Sequence, residues 1–152
     1  MNELPRGDRH RVRERLIYFG ASFPHRIMAM LYQVVEVYVS PYRAEGFNIP
    51  VLEAAASGLP VICTRGGATE DFVTDEFARR IDSTRVAVSV EERSGARLEP
   101  SLEHLSALMS SAIEDHAWRI RASEAGPAHV RAHYTWDAVV QKLLHAVWNE
   151  RV

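Results

Sequence analysis

The sequence is poor in cysteine and in lysine, and it has no long apolar run. A single cysteine, Cys63, in 152 residues excludes an internal disulfide framework and any cysteine-built metal cluster. It lies in Pro60-Val-Ile-Cys-Thr64, where a buried, inert thiol is expected. No apolar stretch reaches the roughly 20 residues that span a bilayer. The first fifteen residues are polar and Arg-rich and lack the apolar core of a secretory signal. A cytoplasmic protein is expected, with peripheral membrane contact left open. Lys142 is the only lysine beside 17 arginines, a bias better explained by base composition than by 17 functional guanidinium forks. A net charge of −2 argues against a surface that coats nucleic acid. Arg6, Arg9, Arg11, Arg13 and Arg15 are offset by Glu3, Asp8 and Glu14 and have no interleaved aromatics, so this segment reads as solvated and no nucleic-acid partner is expected.

What is present is ordinary for a folded domain: 47% hydrophobic and 25% charged residues, enough for a sizeable core. Residues 1–15 read as an irregular or partly helical lead-in. Leu16-Ile-Tyr-Phe-Gly20 reads as a buried strand. A helix opens near Ser22 and Pro24 and carries Ile27, Met28, Leu31, Val34 and Val35 at helical spacing. Glu36–Ser40 is a second strand, closed by Pro41. Asn48 to Ser57 is a helix with Asn48 as cap, Pro50 in its first turn, and Gly58 and Pro60 as its stop. Pro60–Thr64 is a third strand and Arg85–Val90 a fourth. The last third, 101–150, is helical, with stripes through Leu102, Leu105, Leu108, Met109, Ala112 and Ile113, and through Trp136, Val139, Val140, Leu143, Leu144 and Val147. Thr135 caps the second stripe, which reads as core packing, and Gly126-Pro127 separates the two.

Strand–helix–strand–helix–strand over about 50 residues predicts βαβ units and a parallel sheet. Ligands of such sheets sit beyond the C-terminal strand ends, which singles out the loops 41–48 and 64–71. The first leads into a helix N-terminus, where free N–H groups favour an anion by 0.3 to about 1 kcal/mol per charge, and Gly46 admits close approach to the backbone. Glu45 opposes a bare phosphate and fits better as an acceptor for hydroxyl groups beside one. Glu53 lies further along the helix, on the order of 10 Å from Glu45 at about 1.5 Å per helical residue. That exceeds the spacing of roughly 5 to 9.5 Å in glycosidase pairs. Two acceptors along an extended ligand, one for a sugar and one for a ribose, suit this spacing better. Singly, each carboxylate also fits a solvated surface residue.

The block Glu45-Gly-Phe-Asn-Ile-Pro-Val-Leu-Glu53 is preceded by Tyr38-Val-Ser-Pro41 and followed by Ala-Ala-Ala-Ser-Gly-Leu-Pro-Val-Ile and Gly66-Gly67. It resembles the nucleotide-sugar half of family 4 glycosyltransferases, which have the GT-B fold and an E-x7-E motif. Gly66–Val73 resembles the glycine loop after the next strand, and Tyr134-Thr-Trp136 resembles the aromatic element opening the last helix. The resemblance covers roughly residues 12 to 148. It implies an α/β fold: an incomplete Rossmann-like parallel sheet with flanking helices, its core in 16–90 and a helical part in 101–150. It implies a donor domain over 16–152 that starts near its third strand, truncated at the N-terminal side. Two strands that should lie between Leu16–Gly20 and Glu36–Ser40 are then missing, so these two either pair directly or leave an edge open.

By the same resemblance, Glu45 would be the catalytic-site carboxylate, contacting donor hydroxyls near the reacting carbon. The backbone at Gly46 and Phe47 would hold the diphosphate. Glu53 would accept from the ribose, and Asn48, Gly66 and Gly67 would complete donor binding. The reaction implied is sugar transfer from a nucleotide diphosphate-sugar to an acceptor hydroxyl with retention, without metal or other cofactor. The Arg/Lys pair that grips the diphosphate and the acceptor domain are not matched, so transfer would need the missing acceptor domain or a partner chain that supplies it. A non-catalytic interaction module that keeps the partial fold is the alternative. His129 and His133 have i, i+4 spacing, but no glutamate follows His129 as the zincin pattern requires, and they read as a solvated helix face.

Overall fold

The computed structural model describes residues 6–90 and 93–149; the ends of the expected lead-in and of the helical third, at 1–5 and 150–152, lie outside these. In chain order the elements are α1 (Arg6–Arg13), α2 (His25–Val34), β1 (Tyr38–Ser40), α3 (Ile49–Ala56), β2 (Val61–Thr64), a 3-10 turn (Ala68–Asp71), β3 (Ala78–Ile81), β4 (Ser83–Val90), β5 (Arg93–Pro100), α4 (Leu102–Glu114), α5 (His116–His133) and α6 (Trp136–Asn149). Strands β1, β2 and β3 form a parallel sheet in that order. Its register sets Tyr38 beside Val61 and Val61 beside Ala78. Strand β2 is central and apolar on both faces, and Val61, Ile62, Cys63 and Thr64 are all fully buried, as parallel strands require. Phe72, Phe77 and Ile81 complete the core beside Val51, Ala54 and Ala55 of α3.

Two expectations fail here, and in a third the strand is found with a different partner. Leu16–Gly20 is not a strand, and Ile17 and Tyr18 are 78% and 85% exposed. The three-stranded sheet ends at β1, and among the described residues no strand pairs with its outer edge, so that edge is left open. The expected strand at 85–90 exists within β4, but it pairs antiparallel with β5 in a separate hairpin, Arg85 opposite Leu98. The strand that does extend the sheet is β3, whose sequence Ala-Arg-Arg-Ile hides it. Its two arginines run out of the core: Arg79 stacks 3.9 Å over Trp118 and bonds Asp115 at 2.6 Å, while Arg80 bonds the Val73 carbonyl. Finally, the α6 stripe is not core packing. Trp136 is 86% exposed, and Val139, Val140, Leu143, Leu144 and Val147 are exposed as well.

Gly126 and Pro127 do not break the helices apart but lie inside α5. A Cβ on Gly126 would stand 2.7 Å from the Ala55 carbonyl oxygen, so glycine is what lets α5 cross α3 closely. Proline has no N–H to bond the carbonyl one turn back, that of Ser123. That carbonyl faces Gly58, which ends α3 in the left-handed conformation at φ 82°.

Candidate functional site

Both loops singled out by the sequence emerge at the C-terminal ends of β1 and β2, side by side. Tyr42 joins them. Its hydroxyl donates to the Thr64 carbonyl at 3.1 Å and lies 2.9 Å from Thr69 Oγ1, while Thr64 Oγ1 donates to the Tyr42 carbonyl at 2.8 Å. Burial pushes the Tyr42 phenol up, against the Thr69 hydrogen bonds that pull it down. The Gly66-Gly67 pair serves this joint. Gly66 has φ 87°, and a Cβ on Gly67 would come within 2.6 Å of the Tyr42 hydroxyl. Sequence reading missed Tyr42, Thr64 and Thr69; the signal was a glycine pair following a threonine-ended strand. Cys63 is buried as expected, with Sγ 3.6 Å from Thr69 Oγ1, and burial raises its thiol.

Asn48 precedes α3 but does not cap it through its side chain. It adopts the left-handed region at φ 67°, which asparagine tolerates, and its amide turns back to donate to Ser40 Oγ at 3.0 Å. That bond ties the end of the loop to the end of β1. Gly46 has open space where a Cβ would be. The Phe47 ring stacks on Phe72 at 5.0 Å, and Phe72 meets Tyr134 edge-on. The Tyr134 hydroxyl donates to the Asp71 carbonyl at 2.8 Å, so the aromatic element before α6 braces the second loop.

The two carboxylates line different clefts. Glu45, with Tyr42, Arg43, Gly66, Gly67 and Arg85, lines one of about 200 Å³. Glu53, with His25, Met28, Tyr32 and Ser57, lines one of about 210 Å³ between α2 and α3. Tyr32 donates to Glu53 Oε2 at 3.1 Å. Its phenol is pushed far up, first by burial and then by the Glu53 charge. Tyr38 on β1 senses both clefts: burial raises its phenol most, and the Glu53 and Glu45 carboxylates raise it further. The Tyr38 and Tyr32 rings meet edge-on at 5.9 Å.

His129 is not on a solvated face. It packs against Phe77 and Tyr134, and its Nε2 is buried without a hydrogen-bond partner. Among the described residues, no group of three or more His, Cys, Asp or Glu side chains gathers where a metal ion could be held. No described helix is long and apolar enough to cross a membrane.

An open parallel α/β sheet with two loops converging at its strand ends places the molecule among the α/β proteins with a Rossmann-like parallel sheet. The chain belongs to the family described as glycosyl transferases group 1, which it matches over residues 2–98. It is 32% identical over 141 residues to the GDP-mannose-dependent monoacylated alpha-(1-6)-phosphatidylinositol monomannoside mannosyltransferase of Corynebacterium glutamicum, a match covering 88% of this chain and 33% of that protein. It is 27% identical over 146 residues to a sucrose synthase of Acidithiobacillus caldus, covering 90% and 16%. The structure of sucrose-phosphate synthase from Thermosynechococcus elongatus superposes with a TM-score of 0.68 at 20% identity, over 94% of this chain and 34% of that one. That likeness shows the fold, and the expected α/β class stands. The chain spans only between 16% and 33% of the length of these two curated relatives.

Proposed function

We propose that the chain is the nucleotide-sugar-binding part of a retaining glycosyltransferase. The observation that carries this is the path from Glu45 to Glu53: a loop with open backbone at Gly46, a helix N-terminus, then a carboxylate held by Tyr32 in its own cleft. An extended donor fits that path. Its diphosphate would lie at the N-terminus of α3, where the macrodipole favours anions. Its ribose would donate to Glu53 and its sugar hydroxyls to Glu45. The bond from anomeric carbon to diphosphate oxygen would break as the acceptor oxygen bonds that carbon from the same face, its proton passing to the departing diphosphate oxygen, so that configuration is retained. Backbone dipoles rather than a metal would take the charge of the departing diphosphate. The acceptor would be placed by a further domain or a partner chain.

Calorimetry of the folded chain with UDP- and GDP-sugars tests this. GDP-mannose comes first because the corynebacterial relative's name specifies it. The expected result is binding by the wild type that Glu53→Ala weakens about tenfold or more, the loss of hydrogen bonds to a charged group. No heat with any nucleotide-sugar would overturn the proposal for this chain. A second reading, a non-catalytic interaction module, is favoured by the exposed Leu16–Phe19 run, and it predicts no donor binding at all.

A further inference from the structure

We propose that the cleft beside Glu45 takes a sugar unit that carries a negative charge, and that Arg85 on the β4–β5 hairpin receives that charge. The inference rests on the donor-domain reading only for the role of Glu45 toward hydroxyl groups.

The hairpin is fixed over the two loops. Leu98 N–H donates to the Arg43 carbonyl at 2.8 Å, and Ser83 Oγ donates to the Arg65 carbonyl at 2.7 Å. The Leu98 side chain lies within 3.8 Å of the Cβ positions of Gly66 and Gly67. Arg85 is directly opposite Leu98 in the antiparallel register, so the two share a face. That face is the wall of the cleft, together with Ala96.

The charges around the cleft are unequally committed. Arg43 grips Glu99 with Nε at 3.0 Å and Nη2 at 2.6 Å, and this fork holds the Glu99 carboxyl below its ordinary value. Arg97 stands 3.7 Å from the same Glu99. Glu70 accepts from the Gly66 N–H at 2.9 Å and lies 3.7 Å from Arg80. Two charged groups in the lining are left: Arg85 and Glu45 have no hydrogen-bond or ion-pair partner among the described residues, and they do not pair with each other. Their chemistry selects a ligand. A neutral sugar satisfies the carboxylate through its hydroxyls and leaves the guanidinium idle. A bare phosphate satisfies the guanidinium and is repelled by the carboxylate. A sugar bearing a phosphate or carboxylate group satisfies both, and the small apolar walls at Ala44, Ala68 and Ala96 suit the C–H face of a ring.

The test is a calorimetric or NMR titration of the full chain with glucose 6-phosphate, glucuronate, glucose and inorganic phosphate. The charged sugars are expected to bind about tenfold or more tighter than glucose or phosphate, as a charge-assisted hydrogen bond gives. The tighter of the two identifies whether the charge is a phosphate or a carboxylate. Arg85→Gln removes the preference and Arg85→Lys restores part of it. Glu45→Gln weakens all three sugars, whose hydroxyls lose a charged acceptor, and strengthens inorganic phosphate, which loses the repelling charge. Equal binding of glucose and charged sugars, equal binding of phosphate and charged sugars, or a preference that survives Arg85→Gln would each overturn the proposal. Should the variants not fold, the wild-type preference must shrink as salt rises, and a salt-independent preference overturns it as well. Donor binding through Glu53 is a separate readout, so its failure leaves this inference standing and the reverse also holds.

Discussion

Single side chains carry the joints of this site, and their removal has defined consequences. Tyr42 lies so close under Gly67 that even a methyl group there must displace it. Gly67→Ala is expected to destabilise by roughly 1–3 kcal/mol, the usual cost of overpacking, measured as a shift of the urea midpoint; no shift would mean that the Tyr42 joint is loose. Asn48→Ala loses the Ser40 contact and puts a residue that tolerates the left-handed region less well than asparagine at φ 67°. It should cost about 1–3 kcal/mol, and Asn48→Gly distinctly less because only the hydrogen bond goes. His129 is the residue through which pH acts. Burial, then the neighbouring His133, lowers its pKa in the folded chain, whereas the unfolded chain takes up the proton at the ordinary value. Stability is therefore complete above that value and is lost as pH falls through it. Unfolding between about pH 8 and about pH 5.5 should show this loss, and His129→Phe should flatten it. A parallel decline in the variant would assign the effect elsewhere.

At the scale of elements, the close crossing of α3 and α5 governs the scaffold. Alanine at 126 would be the better helix former by about 1 kcal/mol, yet its Cβ would press on the Ala55 carbonyl. Gly126→Ala should therefore lower the melting temperature, and a rise would show that the helices can part at no cost. The hairpin is a different kind of element. Local pattern does not make it, since Arg-Ser-Gly-Ala-Arg-Leu-Glu-Pro has no apolar alternation. Pairing with β4 and the Leu98–Arg43 backbone bond hold it in place.

Among the described residues, apolar side chains stand uncovered on three faces: Leu16–Phe19, the outer side of α2 at Met30 and Val34, and the α6 stripe from Trp136 to Trp148. Apolar surface on this scale drives association. Light scattering after size exclusion should show a mass that rises with concentration. The double substitution Ile17→Ser and Leu143→Ser should reduce that rise, and a strictly monomeric wild type at high concentration would contradict it.

The sequence by itself determined the βαβ core from Tyr38 to Thr64, the two loops at its strand ends and the family. In that stretch local preference and burial agree: β-branched runs, helix-ending Gly58 and the E-x7-E spacing all point the same way. Tertiary structure alone decided where local pattern is silent or misleading. The apolar run Leu16–Gly20 looks like a strand and yet does not pair with the open edge of β1, while Ala78–Ile81 looks polar and is a strand because β2 offers it a ladder. Trp136 looked like core and is solvent-facing. The place of Arg85 in the cleft could not be read, although its strand could, because only the fold of the hairpin over Gly66 and Gly67 brings it to the cleft that Glu45 shares. Pairing partners and facing surfaces depend on residues far apart in the chain, and short-range pattern contains no record of them.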